Sequence, residues 1–80
     1  MHKYHLEFIL NIFPAIPMET LRNSLVEFGE NLEISQALQD NDIKGEDFKV
    51  CIYTDDPTII FDTCAQFGKM KSIKIEEKHS

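Results

Sequence analysis

Alternating apolar and polar residues open the chain. Every second position is apolar, at Tyr4, Leu6, Phe8, Leu10 and Ile12. Polar residues His5, Glu7 and Asn11 lie between them, together with Ile9. A period of two is typical of a strand with one face on a core. The pattern predicts a first strand over Tyr4–Ile12.

Two later segments have the period of a helix. In the first, the apolar positions are Met18, Leu21, Leu25 and Phe28. In the second, the buried stripe is expected at Ile59, Ile60, Thr63, Cys64 and Phe67. Pro17 and Pro57 suit the first turn of a helix, and Gly29 and Gly68 stand where left-handed C-caps are common. The spacing predicts two helices, each ending in Phe-Gly.

Three further segments favour strands. "NLEISQAL" alternates weakly, which predicts a short or edge strand. "FKVCIYT" has Phe48, Val50 and Ile52 on one face and Lys49, Cys51 and Tyr53 on the other, which suggests a central strand. "KMKSIKIEE" places Ile73 and Ile75 inward. The polar "QDNDIKGED", with Gly45, predicts a hairpin loop or a bulged continuation of the strands.

The element order implies the fold. "LRNSLVEFGENLEI" and "IFDTCAQFGKMKSI" match at five positions, so each half is strand, helix, Phe-Gly, strand. Two such units give an α+β domain of βαββαβ order, with a four-stranded antiparallel sheet, the first and third strands central, and both helices on one face. The chain thus resembles the ferredoxin-like superfold, as a single domain over 1–80 with a polar tail at 76–80.

The turn "TDDPT" has two interpretations. Asp56 before Pro57 is the pattern of a helix N-cap. The stretch "YTDDPTIIFDTCAQFG" also resembles half of an ACT domain, whose Asp-x-Pro-Gly turn closes on an amino acid at a subunit interface. The resemblance implies a small polar metabolite held by Asp55, Asp56 and the amides of Thr58 and Ile59. This chain has Thr58 at the glycine position, and its turn lies in the second half instead of the first.

Composition and charge exclude several classes of protein. The chain has 80 residues, 42% of them hydrophobic, and a net charge of −6, which predicts a folded, soluble domain that binds no nucleic acid. No apolar run reaches the length of a membrane span. Without a signal-peptide pattern, a cytoplasmic location is the expectation. Cys51 and Cys64 form no CxxC pair, so we expect reduced thiols, no metal site and no cofactor.

The sheet face without helices is the remaining candidate site. Ile9, Cys51 and Tyr53, with Ala37, are expected there beside charged residues, a composition typical of protein interfaces. The first hypothesis is an interaction or assembly module that binds a partner protein or a second copy. An ACT-like sensor is the alternative. A small enzyme is the third hypothesis, since Cys51, His5 and Glu7 could share this face.

Overall fold

A computed structural model describes residues 3–36 and 46–77. It contains β1 (Tyr4–Ile12), α1 (Met18–Val26), β2 (Glu30–Gln36), β3 (Glu46–Thr54), α2 (Pro57–Ala65) and β4 (Gly68–Glu77). The strands form one antiparallel sheet in the order β2-β3-β1-β4. The predicted βαββαβ order and the central positions of β1 and β3 are confirmed. The protein has the ferredoxin-like α+β fold.

Some sequence-based predictions fall outside the described residues. These are Ala37, the proposed end of β2 at Leu38 and most of the "QDNDIKGED" loop. The third strand begins at Glu46, two residues before the predicted start at Phe48, so the end of this segment continues β3. No helix within 3–36 and 46–77 is long and apolar enough to cross a membrane.

One core lies between the helices and the sheet. Its buried residues are Leu6, Phe8, Leu10 and Ile12 of β1, Leu21 and Leu25 of α1, Val50 and Ile52 of β3, and Ile60 and Cys64 of α2. The Phe8 ring meets Phe61 of α2 edge-on, with centroids 6.0 Å apart. The alternation in β1 therefore identified the helix-covered face correctly.

Four residues predicted to point into the core are exposed. Phe28 is 39% exposed because α1 ends at Val26, and Ile59 is 38% exposed because it lies in the first turn of α2, off the stripe formed by Ile60 and Cys64. Ile73 and Ile75 are 46% and 53% exposed. Ile75 is paired with the core residue Leu6, so its face was predicted correctly. The helices leave this part of β4 uncovered.

The two glycines after the helices have a different role from the one predicted. The C-cap residues Glu27 and Gln66 are right-handed, and neither Gly29 nor Gly68 has a left-handed backbone. Any Cβ at Gly29 would collide with the carbonyl oxygen of Tyr53, and one at Gly68 with that of Asn11. Both positions require glycine because the chain passes against a neighbouring strand there.

A bulge interrupts the pairing of β4 with β1. Glu7 pairs with Lys74, whereas Ile9, two residues on, pairs with Lys71, three residues back. Ser72 lies at the bulge, and its backbone has a φ of 55°. As a result Lys71 and Lys74 face the same side of the sheet although they are three positions apart, a spacing that places two residues of a regular strand on opposite faces. That side is the one without helices, which we call the open face.

Candidate functional site

The strand register arranges the open face in four rows across the sheet. The first row contains Glu30, Tyr53, His5 and Glu76, the second Glu33, Cys51, Glu7 and Lys74, the third Ser35, Lys49, Ile9 and Lys71, and the fourth Asp47, Asn11 and Lys69. The predicted surface residues Ile9, Cys51 and Tyr53 all lie on this face and are half-buried. Charged side chains separate them, so the face is a mosaic and not a continuous apolar patch.

Glu7 is the central residue of the open face. Its carboxylate oxygens lie 3.8 Å from Lys49 Nζ and 3.8 Å from Lys74 Nζ. The thiol of Cys51 lies 4.0 Å from Glu7 Oε1. The two lysine side chains are 47% and 77% exposed. These ion pairs are long and reach water, so they are weak and exchangeable.

The thiol–imidazole–carboxylate trio is not arranged as an activated nucleophile. Burial raises the pKa of the Cys51 thiol, and the nearby Glu7 carboxylate raises it further. The reactive thiolate is thus disfavoured. His5 instead lies against the Tyr53 ring, with centroids 4.5 Å apart and planes 32° apart. This geometry gives the enzyme hypothesis no support.

Asp47 is a buried polar residue on this face that was not predicted from the sequence. It is 1% exposed, accepts a 2.8 Å hydrogen bond from Asn11 Nδ2, and lies 3.1 Å from Lys71 Nζ. The Asn11 hydrogen bond lowers the pKa of Asp47; burial opposes this shift and Lys71 adds to it. Asp47 lies two residues before Lys49 and four before Cys51, so the strand period could have placed it on the same face of β3. The pair with Lys71 fixes one end of the open face.

Charge is distributed unevenly along the open face. One end carries Lys49, Lys69 and Lys71, of which Lys71 is paired with the buried Asp47; we call it the basic half. The other end carries Glu7, Glu33 and Glu76 with Lys74; we call it the acidic half. The lysines are scattered in sequence, and the bulge at Ser72 helps to gather them on one face.

The turn from β3 to α2 is held by internal hydrogen bonds. Asp56 Oδ1 accepts from the amides of Thr58 at 3.0 Å and Ile59 at 3.4 Å, which confirms Asp56 as the N-cap. Thr54 Oγ1 donates to the carbonyl of Phe28 at 2.8 Å and accepts from the Asp56 amide at 3.1 Å. Ligand binding at this turn stays a prediction, and the two amides that it would use are bonded to Asp56.

Asp55, the other aspartate of the turn, is bonded to the start of β1. Its Oδ1 accepts a 2.9 Å hydrogen bond from the Lys3 amide. In the described ranges, 3–36 and 46–77, no cluster of His, Cys, Asp and Glu side chains could hold a metal ion. No protein-family model matches the chain, and neither does any curated protein.

Proposed function

We propose that this protein is a noncatalytic interaction module that binds a partner protein through the open face of its sheet. The observation that carries the proposal is the division of that face into a basic and an acidic half around the half-buried Ile9. Such a surface is complementary to a partner with the opposite arrangement of charges. Electrostatic complementarity of this kind sets the orientation and the association rate of a complex.

The weakness of the ion pairs at Glu7 supports this proposal. Exposed pairs contribute about 0–1 kcal/mol each, so Lys49 and Lys74 can exchange Glu7 for carboxylates of a partner at little cost. Ile9 lies between Lys49 and Lys71 in its row, where their aliphatic stems can cover it. A partner that binds the ammonium groups of Lys49 and Lys71 would cover Ile9, and the burial of this side chain would add apolar contact area.

Affinity capture with matched variants tests the proposal. The wild-type protein, Ile9→Asp and the control Val26→Asp would be immobilised and exposed to a lysate of the source cells. Both substitutions place an acid at an accessible apolar position, but Val26 is on α1, on the other side of the sheet, and is 51% exposed. We expect the same protein to be enriched by the wild type and by Val26→Asp and lost with Ile9→Asp.

Salt dependence gives a second criterion for the same complex. Because both halves of the face are charged, retention should fall as ionic strength rises. Circular dichroism of Ile9→Asp must match the wild type, so that loss of binding is not loss of fold. Equal retention by Ile9→Asp and the wild type would contradict the proposal, and so would the absence of any enriched protein.

An ACT-like sensor of a small metabolite is the second candidate function. Two adjacent exposed aspartates at the N-terminus of α2 support it, because acids attract an amine and helix amides attract a carboxylate. A ligand would have to displace Asp56 from the Thr58 and Ile59 amides. Thermal melts with a panel of amino acids and nucleotides test this hypothesis. A melting temperature unchanged by every compound would reject it.

A further inference from the structure

The edge strand β4 has two dissimilar halves. In the first half, Lys69 and Lys71 and the bulge at Ser72 are features that block pairing with another strand. The second half, from Ile73 to Glu77, contains no proline and continues in register with β1 up to the pair Tyr4–Glu77. It lies at the end of the sheet order β2-β3-β1-β4, so no described strand pairs with its outer side.

The second half of β4 also exposes apolar side chains. Ile73 is 46% and Ile75 is 53% exposed, and Ile75 is on the helix side of the sheet, since it pairs with Leu6. Lys74 is on the open face, opposite Glu7. An outer strand with exposed isoleucines on one face and charges on the other can pair with a strand of matching pattern.

We propose that this half of β4 pairs antiparallel with the same half of a second copy of the chain, about a two-fold axis at Ile75. The axis places Ile75 opposite its own copy. It also places Lys74 opposite Glu76 of the second copy, and symmetry repeats this ion pair. Opposite charges directly across an antiparallel pair are stabilising. The sequence "KIE" at 74–76 is therefore complementary to itself in this register.

Neighbouring registers that keep the faces aligned are less favourable. An axis at Lys74 would place Lys74 opposite Lys74 of the second copy. An axis at Glu76 would place Glu76 opposite Glu76 of the second copy. Like charges directly opposite destabilise a strand pair. The axis at Ile75 instead places the two Ile75 side chains directly opposite each other on the helix side, with Ile73 opposite Glu77 of the second copy. This match of charge and apolar residues identifies the second copy as the occupant of the edge.

The resulting dimer shares Lys74 and Glu76 with the acidic half of the open face, but it does not use Ile9 or the basic half. An antiparallel pair about this axis extends the sheet to eight strands and keeps both helix layers on one side. The open faces of the two copies then form one continuous surface on the other side. This pairing goes beyond the proposed function. The edge pairing can fail while the open face still binds its partner, and partner binding can fail while the dimer still forms.

Sedimentation equilibrium of the full chain tests the pairing. Over a concentration series, we expect the mass to rise from that of one chain, 9.3 kDa, to twice that value. Ile75→Lys places two lysines against each other at the axis and should abolish the dimer. Ile9→Asp, on the open face, should leave the dimer intact. Circular dichroism would show that both variants keep the fold.

Charge exchange tests the register itself. Lys74→Glu alone places acids opposite acids, and Glu76→Lys alone places lysines opposite lysines, so each variant should be monomeric. Mixed in equal amounts, the two variants should form a heterodimer, because both cross-strand pairs then become attractive. Lys74→Glu also loses the ion pair with Glu7 of its own chain. Mixing does not restore that pair, so recovery of the dimer reports only the contact between copies.

Three results would overturn the inference. The first is a wild-type chain that stays monomeric at every concentration. The second is a dimer that survives Ile75→Lys, because the axis then does not lie at Ile75. A dimer that is lost with Ile9→Asp would likewise contradict the pairing, because its interface would lie on the open face. The third is a mixture of Lys74→Glu and Glu76→Lys that remains monomeric although each variant is folded.

Discussion

Replacing Asp56 with alanine removes the side-chain cap of α2. The first four amides of this helix are accounted for in the wild type. The Asp56 amide donates to Thr54 Oγ1, Pro57 has no N–H, and the amides of Thr58 and Ile59 donate to Asp56 Oδ1. Asp56→Ala leaves the last two to water. Because this helix end is exposed, water replaces part of the lost bonding, and the expected cost is about 1 kcal/mol.

Denaturant and thermal melts measure this cost. For a chain of this size, about 1 kcal/mol corresponds to a fall of about 4–8 °C in melting temperature. The slope of the urea transition should not change, since the substitution exposes no core. Asp56→Asn is the matched control: asparagine is about as good a cap, so it should retain most of the stability.

Substitutions of Asp55 separate the cap from a binding turn. Asp55→Ala should cost about 0.5 kcal/mol, since it loses one exposed hydrogen bond from the Lys3 amide. Asp55→Asn keeps an acceptor and should be close to neutral. A clear gain in stability in Asp55→Asn would indicate repulsion around an empty ligand site and would contradict the cap account. Equal stability of Asp56→Ala and the wild type would refute it directly.

Three further predictions concern the core and the buried polar groups. Gly68→Ala should cost about 1–3 kcal/mol in urea melts, because its Cβ meets the Asn11 carbonyl; a neutral result would contradict the close approach. The lowered pKa of Asp47 means that its stabilisation is present above the unfolded-state pKa of about 3.9 and is lost as pH falls through the folded value. Asp47→Asn should flatten this part of the curve of unfolding free energy against pH, and an unchanged curve would exclude Asp47 as its source. Burial raises the pKa of Cys64 to about 12, so alkylation should occur only on unfolding; rapid labelling of the native thiol would disprove this.

The sequence was sufficient for the elements and their order because the local signals agree with the fold. Alternation in β1 identified the core face, and Asp56-Pro57 located the start of α2. Phe28 and Ile59 were assigned to the core because they continue an apolar stripe. Helical period alone does not show which turns the sheet covers: Phe28 follows the end of α1, and Ile59 lies in the first turn of α2, off the stripe of Ile60 and Cys64.

The composition of the open face could be predicted only in part. Ile9, Cys51 and Tyr53 were placed on it correctly, since strand period determines the face. The bulge at Ser72 was not predicted, because a serine with positive φ has no distinct sequence signal here. Without the bulge, Lys71 and Lys74 would be assigned to opposite faces, and the gathering of lysines on one face would be missed. Long-range pairing also determines the burial of Asp47.

Mapping of amide chemical shifts on the complex tests the central claim most directly. The isotope-labelled protein would be titrated with the partner identified by capture. If the open face is the binding site, the largest changes should fall on the strand residues Ile9, Lys49 and Lys71, and the amides of α1 should change little. Changes confined to α1 and α2, with the open face unaffected, would contradict the account.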